Sequence, residues 1–112
     1  MSDTTILLEG LYFGEGPRWH EGRLWFSDFY AHAVKSVDEA GAVRIELELD
    51  DQPSGLGWLP DGRLLVVAMK ARAVKRLDAT GLVLHADISH LTAHLCNDMV
   101  VDAQGTAWVG NF

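Results

Sequence analysis

The sequence predicts an all-β protein, on two observations. Short runs alternate apolar and polar residues with period two, the mark of half-buried strands. One arrangement of strands and turns also returns about every 40 residues along the chain. Turn-forming residues such as Glu21-Gly22, Ala40-Gly41 and Asp61-Gly62 separate the runs.

Taken in order, Ile6 to Phe13 is an apolar run without helical spacing and reads as a strand. It leads into Gly14-Glu15-Gly16-Pro17-Arg18-Trp19, which puts one carboxylate in a Gly/Pro-rich stretch. The glycines allow tight backbone geometry, and Pro17 fixes φ just past the acid. A carboxylate so placed suits a metal ligand, an acid/base, or a turn that needs an acceptor. After His20-Glu21-Gly22 comes an aromatic-rich strand, Arg23 to Asp28, and Phe29 to His32 is a connector. Val34 to Asp38 alternates apolar and polar residues, and Glu39-Ala40-Gly41 turns the chain. Val43 to Leu49 alternates most cleanly, with Arg44, Glu46 and Glu48 on the face opposite its apolar residues.

The pattern then recurs. Trp58-Leu59-Pro60-Asp61-Gly62-Arg63-Leu64 restates Trp19-His20-Glu21-Gly22-Arg23-Leu24 with one residue inserted, and Val74 to Gly81 restates Val34 to Gly41. Gly22 to Gly62 and Gly41 to Gly81 are both 40 positions, and Gly105 lies 43 beyond Gly62, within a third copy that begins near Val101. A period near 40–45 with four strands per unit is what a β-propeller blade requires. The Gly-His and Trp-Asp marks of WD repeats are absent. The expected fold is therefore a β-propeller fragment of about two and a third four-stranded blades: blade 1 over about 15–50, blade 2 over about 54–95, and the start of blade 3 over about 97–112. The stretch 87–95 breaks the pattern. It is expected to form a helical turn with Ser89 as N-cap, in an elaborated connection between blades. Propellers close with four to eight blades, and a part of one exposes sheet edges and apolar faces. We read the chain as the N-terminal part of a longer propeller, or alternatively as one of several copies that close a ring.

Composition sets further bounds. At 112 residues the chain is one domain at most, able to bury roughly 65% of its unfolded surface. A formal charge of −7 argues against nucleic acid or an anionic membrane as partner. The one dense basic run, Lys70, Arg72, Lys75 and Arg76, reads as the wet face of a strand. A single cysteine, Cys96, forms no internal disulfide and fits a cytoplasmic location. No signal peptide is expected from Met-Ser-Asp-Thr-Thr, and no run approaches the ~18 apolar residues of a membrane span.

The repeat also gives the candidate site a register. Aligning Trp19, Trp58 and Val101 places Glu15, Ser54 and Asn97 at one position of successive blades, four residues upstream. Equivalent positions of the innermost strands face the same end of a propeller's channel, so Glu15 and Asn97 are expected to converge. Asp98 adds a neighbouring carboxylate that points in or out. A carboxylate with amide carbonyls suits a hard cation such as Ca²⁺ or Mg²⁺ rather than structural zinc.

Glu15-Gly16-Pro17-Arg18-Trp19, Ser54-Gly55-Leu56-Gly57-Trp58-Leu59-Pro60-Asp61-Gly62 and Asn97-Asp98-Met99-Val100-Val101-Asp102, in this order and at blade spacing, resemble the first three blade motifs of the gluconolactonase/regucalcin-like family, the senescence-marker-protein group of six-bladed propellers. The resemblance covers roughly Leu11 to Phe112. It implies a metal-dependent hydrolase of small lactones with one divalent cation in the channel, Ca²⁺ first, with Zn²⁺, Mg²⁺ or Mn²⁺ as alternatives. Glu15 matches a metal-binding Glu of the family. Asn97 matches an Asn that lines the site and contacts substrate, and Asp98 is a weaker substrate-binding candidate. The remaining metal ligand Asn, and the Asp that acts as ligand and general base, come from later blades, so no catalytic base is expected within this chain. Animal members carry an Arg two residues before the Asn matched by Asn97; here that position is Leu95, which puts gluconolactone itself in doubt as substrate. The alternative is a non-catalytic propeller that binds Ca²⁺ or a partner, since propellers host both.

Other chemistry-bearing residues have plainer readings. His90 and His94 share a face only if the helical turn forms, and with His85 they read as surface or connector histidines. Trp19, Trp25, Trp58 and Trp108 read as inter-blade packing, Cys96 as a packed thiol, and Asp28, Asp61 and Asp102 as local hydrogen-bond acceptors.

Overall fold

The computed structural model describes residues 14–92 and 94–111, without the side chains of Glu15 and Asn111; the strand expected over 6–13 lies outside the described residues. Among the described residues three antiparallel sheets follow one another along the chain. The first is β1 (Gly14–His20), β2 (Arg23–Asp28), β3 (Ala33–Val37) and β4 (Val43–Glu48); the second is β5 (Pro53–Trp58), β6 (Leu64–Ala68), β7 (Ala73–Asp78) and β8 (Gly81–Asp87). The third pairs β9 (Cys96–Val101) with β10 (Ala107–Asn111). Each four-stranded sheet is a simple up-and-down meander, so its strand order is its chain order. This is the architecture of propeller blades, and the first strands sit side by side, with β5 packed between β1 and β9.

Burial explains why the strands read differently in sequence. β6 is apolar at every position and buried at every position. Its alternate side chains serve two cores: Leu64 and Val66 join Val34, Leu47 and Leu56 against the first sheet, while Leu65 and Val67 join Met69, Val74, Cys96 and Met99 against the third. A strand covered on both faces needs no polar side, so its alternation is lost. β4 is the opposite case. Its alternation is clean, yet it is the outermost strand of its sheet, and of its apolar face Leu47 is buried while Val43 and Ile45 are exposed.

The turns are specified locally. Glu21 and Gly22 both have positive φ, at 50° and 76°, and join paired residues His20 and Arg23. That is the two-residue turn whose twist matches the flanking strands, and it is why glycine stands at Gly22. In the next hairpin Asp38 accepts from the N–H groups of Ala40 and Ala42, both at 2.9 Å. Asp102 repeats the device with Gln104 and Thr106, both at 3.0 Å.

Two expectations are corrected here. Among the described residues 87–95 contain no helix. Asp87 Oδ1 accepts the Ser89 N–H at 2.9 Å and the Leu91 N–H donates to the Ile88 carbonyl at 2.9 Å, which folds a tight turn. The acceptor is Asp87 rather than Ser89, and a side chain that satisfies its own loop competes with helix formation. The basic run is not one strand face either. Lys70 and Arg72 lie in the β6–β7 turn, where Arg72 has a φ of 53°, and only Lys75 and Arg76 stand on β7.

Candidate active site

The three first strands share one irregularity. Between Pro53 and Leu56 β5 advances three residues while its partner advances two, from Ala68 to Val66. Between Cys96 and Met99 β9 does the same against Asn111 and Val109, and between Glu15 and Arg18 β1 does so against Ser27 and Trp25. Each strand thus carries a bulge of one extra residue. The candidate residues lie there: Glu15 at the edge of its bulge, Ser54 and Asn97 inside theirs. A bulge interrupts ladder pairing and re-aims side chains, which frees these positions from simple alternation.

Glycines let the bulges approach one another. A Cβ on Gly16 would meet the Ser54 carbonyl oxygen at 2.9 Å, and one on Gly55 would meet the Met99 nitrogen at 2.4 Å. Both obstacles are backbone and cannot swing away, so β5 sits closer to β1 and β9 than side chains would allow.

Hydrogen bonds then link the three positions. Glu15 is paired on the ladder with Ser27 of β2. Ser27 is fully buried, and its Oγ donates to the Ser54 carbonyl at 2.6 Å. Ser54, buried as well, donates from its own Oγ to Asn97 Oδ1 at 3.0 Å. The backbone of Glu15 and the side chains of Ser54 and Asn97 therefore meet at one end of the three inner strands. The Glu15 side chain, the candidate metal ligand, lies outside the described residues.

Asp98 is engaged differently. Its Oδ1 accepts from Arg18 Nη2 at 2.9 Å and from the Met99 N–H at 2.8 Å. Arg18 Nη2 also donates to the Met99 carbonyl at 2.8 Å, so a guanidinium on β1 reaches across β5 to tie down the β9 bulge. Oδ1 of the exposed Asp98 carboxylate is committed to this clamp. Below it the inner strands border a hollow of about 280 Å³ lined by Arg18, Trp19, Leu56, Gly57, Trp58, Val100 and Val101.

The remaining candidates take structural places. Cys96 is buried in the core, and burial pushes its thiol pKa up, away from the reactive thiolate. His90 and His94 are exposed, and His85 Nδ1 lies 3.3 Å from Arg76 Nη1. Among the described residues no group of three His, Cys, Asp or Glu gathers as a metal site. Trp25 and Trp58 pack between the first two sheets, with the His20 ring stacked on Trp58 at 3.8 Å. Trp19 and Trp108 have no such partner sheet among the described residues. They are 56% and 63% exposed, Trp19 bordering the hollow and Trp108 bonded through Nε1 to Asp102. Asp61 and Asp102 accept locally, whereas Asp28 is wholly buried at the end of β2 with Lys35 Nζ at 2.9 Å.

Sequence reading singled out Glu15 and Asn97 but not Arg18, Ser27 or the bulges. The glycines at Gly16 and Gly55 were the available signal, since an isolated glycine in a strand marks a bulge or a close approach.

A family model described as SMP-30/Gluconolactonase/LRE-like region matches residues 13–112. The chain belongs to the SMP-30/gluconolactonase/LRE-like family. Its fold is similar to that of a gluconolactonase from Xanthomonas campestris, described as important in glucose secondary metabolic pathways, with a TM-score of 0.78 and 26% sequence identity. The match covers 94% of this chain and 37% of that one, so the chain spans little more than a third of the length of this SMP-30/gluconolactonase relative. No helix among the described residues is long and apolar enough to cross a membrane.

Proposed function

We propose that the protein this chain represents is a metal-dependent hydrolase of small lactones, with its site at the bulged ends of the inner strands. The observation that carries this reading is the meeting of the Glu15 backbone with the side chains of Ser54 and Asn97 at one end of β1, β5 and β9. Family membership supplies the reaction class.

The donor chemistry fits a hard cation in part. Glu15 supplies the anionic oxygen that Ca²⁺, or Mg²⁺, Mn²⁺ or Zn²⁺ in its stead, requires from the first inner strand. When bound, the cation polarises the lactone carbonyl and stabilises the oxyanion. The described part of this chain contributes position. Arg18 and the glycine contacts hold the β9 bulge against β5, and Asn97, in that bulge, is the residue assigned to orient a substrate oxygen. The other cation ligands and the carboxylate that activates water are assigned to later blades. We place the protein in the cytoplasm, with the remaining blades of the same propeller, or further copies of the chain, completing the ring.

Glu15→Gln in the complete protein tests this. Divalent-cation affinity by calorimetry is expected to fall about a hundredfold or more, since even outer-shell partners cost about 10–100-fold. Lactone hydrolysis is expected to fall with it. Unchanged cation affinity removes Glu15 from the site. Cation binding without turnover of any lactone points instead to a binding propeller.

A further inference from the structure

Asn97 has a fixed amide, and the residues that fix it come from two other strands. Ser27 Oγ sits in a fully buried position, where a hydroxyl must find a partner, and it donates to the Ser54 carbonyl at 2.6 Å. That carbonyl lies in the β5 bulge, where ladder pairing is interrupted. Ser27 therefore adds a tie to the backbone of Ser54 within the bulge. Ser54, only 1% exposed, donates a hydrogen bond from its hydroxyl to Asn97 Oδ1 at 3.0 Å. An amide carries its acceptor and its donors on opposite edges. With Oδ1 turned to Ser54, Nδ2 is turned away from it.

We infer that Ser27 and Ser54 are positioning residues that lock Asn97 as a hydrogen-bond donor, so that it recognises an oxygen acceptor of the ligand and does not bind the cation. The acceptor class is an ester or hydroxyl oxygen of a lactone, or a carboxylate oxygen of the acid formed from it. This rests on the lactonase reading only for the identity of the ligand; the lock itself is a property of β2, β5 and β9.

The test uses the complete protein and the variants Ser54→Ala, Asn97→Ala, their double variant, and Asn97→Asp. Ser54→Ala is expected to raise KM for a hydrolysed lactone about tenfold, as for loss of one well-placed hydrogen bond, with kcat little changed. Its cation affinity by calorimetry is expected to stay at the wild-type value. Combined with Asn97→Ala it should add nothing, because the two act through one donor. Asn97→Asp keeps an acceptor for Ser54 and removes the donor, so it should raise KM as far as Asn97→Ala does. Additive effects of Ser54→Ala and Asn97→Ala overturn the inference, as does an unchanged KM in Asn97→Asp. A drop in cation affinity in Ser54→Ala also overturns it, because the amide carbonyl would then face the cation. If the wild type hydrolyses no lactone, the functional reading fails alone. The lock is then read from the Asn97 side-chain amide signals by NMR, which should shift on Ser54→Ala and overturn the lock if they do not.

Discussion

Gly55 is closely hemmed in by the backbone of β9. A methyl group there meets the Met99 nitrogen at 2.4 Å and the Asp98 carbonyl carbon at 2.7 Å, both backbone atoms of the neighbouring inner strand. Gly55→Ala is expected to destabilise the fold by about 1–3 kcal/mol, the usual cost of overpacking where nothing can move aside. The shift of the urea midpoint measures it, and an unchanged midpoint would mean that β9 yields easily. At this scale the sequence was only partly legible. Glu15 and Asn97 were visible because their neighbours recur at blade spacing. Arg18 was not, because its partners Asp98 and Met99 are about 80 positions away and nothing local announces a guanidinium that crosses a strand. Ser27 was hidden for another reason: a serine in an aromatic strand looks like any polar alternate until its carbonyl partner is known.

Among the elements, the hairpins and β6 show which local rules hold. Asp38 and Asp102 each cap a turn, and the strongest influence on each carboxyl is a backbone N–H, that of Ala42 for Asp38 and that of Thr106 for Asp102. Both pKa values are held below the usual carboxylate value, as is that of Asp78 through Arg76. A carboxyl depressed in the folded state stabilises the fold at pH above its unfolded pKa, near 3.9, and loses that contribution as pH falls through its folded value. Thermal melts are therefore expected to be flat from neutral pH to about pH 5 with respect to these groups, and to fall below about pH 4. Replacing Asp38 and Asp102 by Asn should flatten the acid limb; an unchanged limb would assign it to other carboxyls. The turns were legible because Asp-x-x-Gly states its own hydrogen bonds. The turn after β8 was misread as helical because Ser89 and Asp87 are both plausible caps, and only the fold shows which one accepts.

For the whole molecule, stability depends on sheets lying against sheets. β6 is the shared wall, giving Leu64 and Val66 to one interface and Leu65 and Val67 to the other. Leu65→Ala is expected to cost about 2–5 kcal/mol by cavity formation, read from chemical denaturation, and a loss under about 1 kcal/mol would mean that the second and third sheets collapse into the space. The propeller class was legible because a 40-residue period needs no knowledge of contacts. The exposure of Val43 and Ile45 on the outermost strand of the first sheet was not, because sequence gives a residue's face but not what lies against it. The bulge common to the three inner strands also bears on ancestry. If blades multiply by duplication of a gene segment, each daughter inherits the mount together with its place at the rim. A single codon then decides whether that mount holds an acid, a hydroxyl or an amide, as Glu15, Ser54 and Asn97 do. Descent could then change what such a scaffold acts upon while leaving its framework untouched.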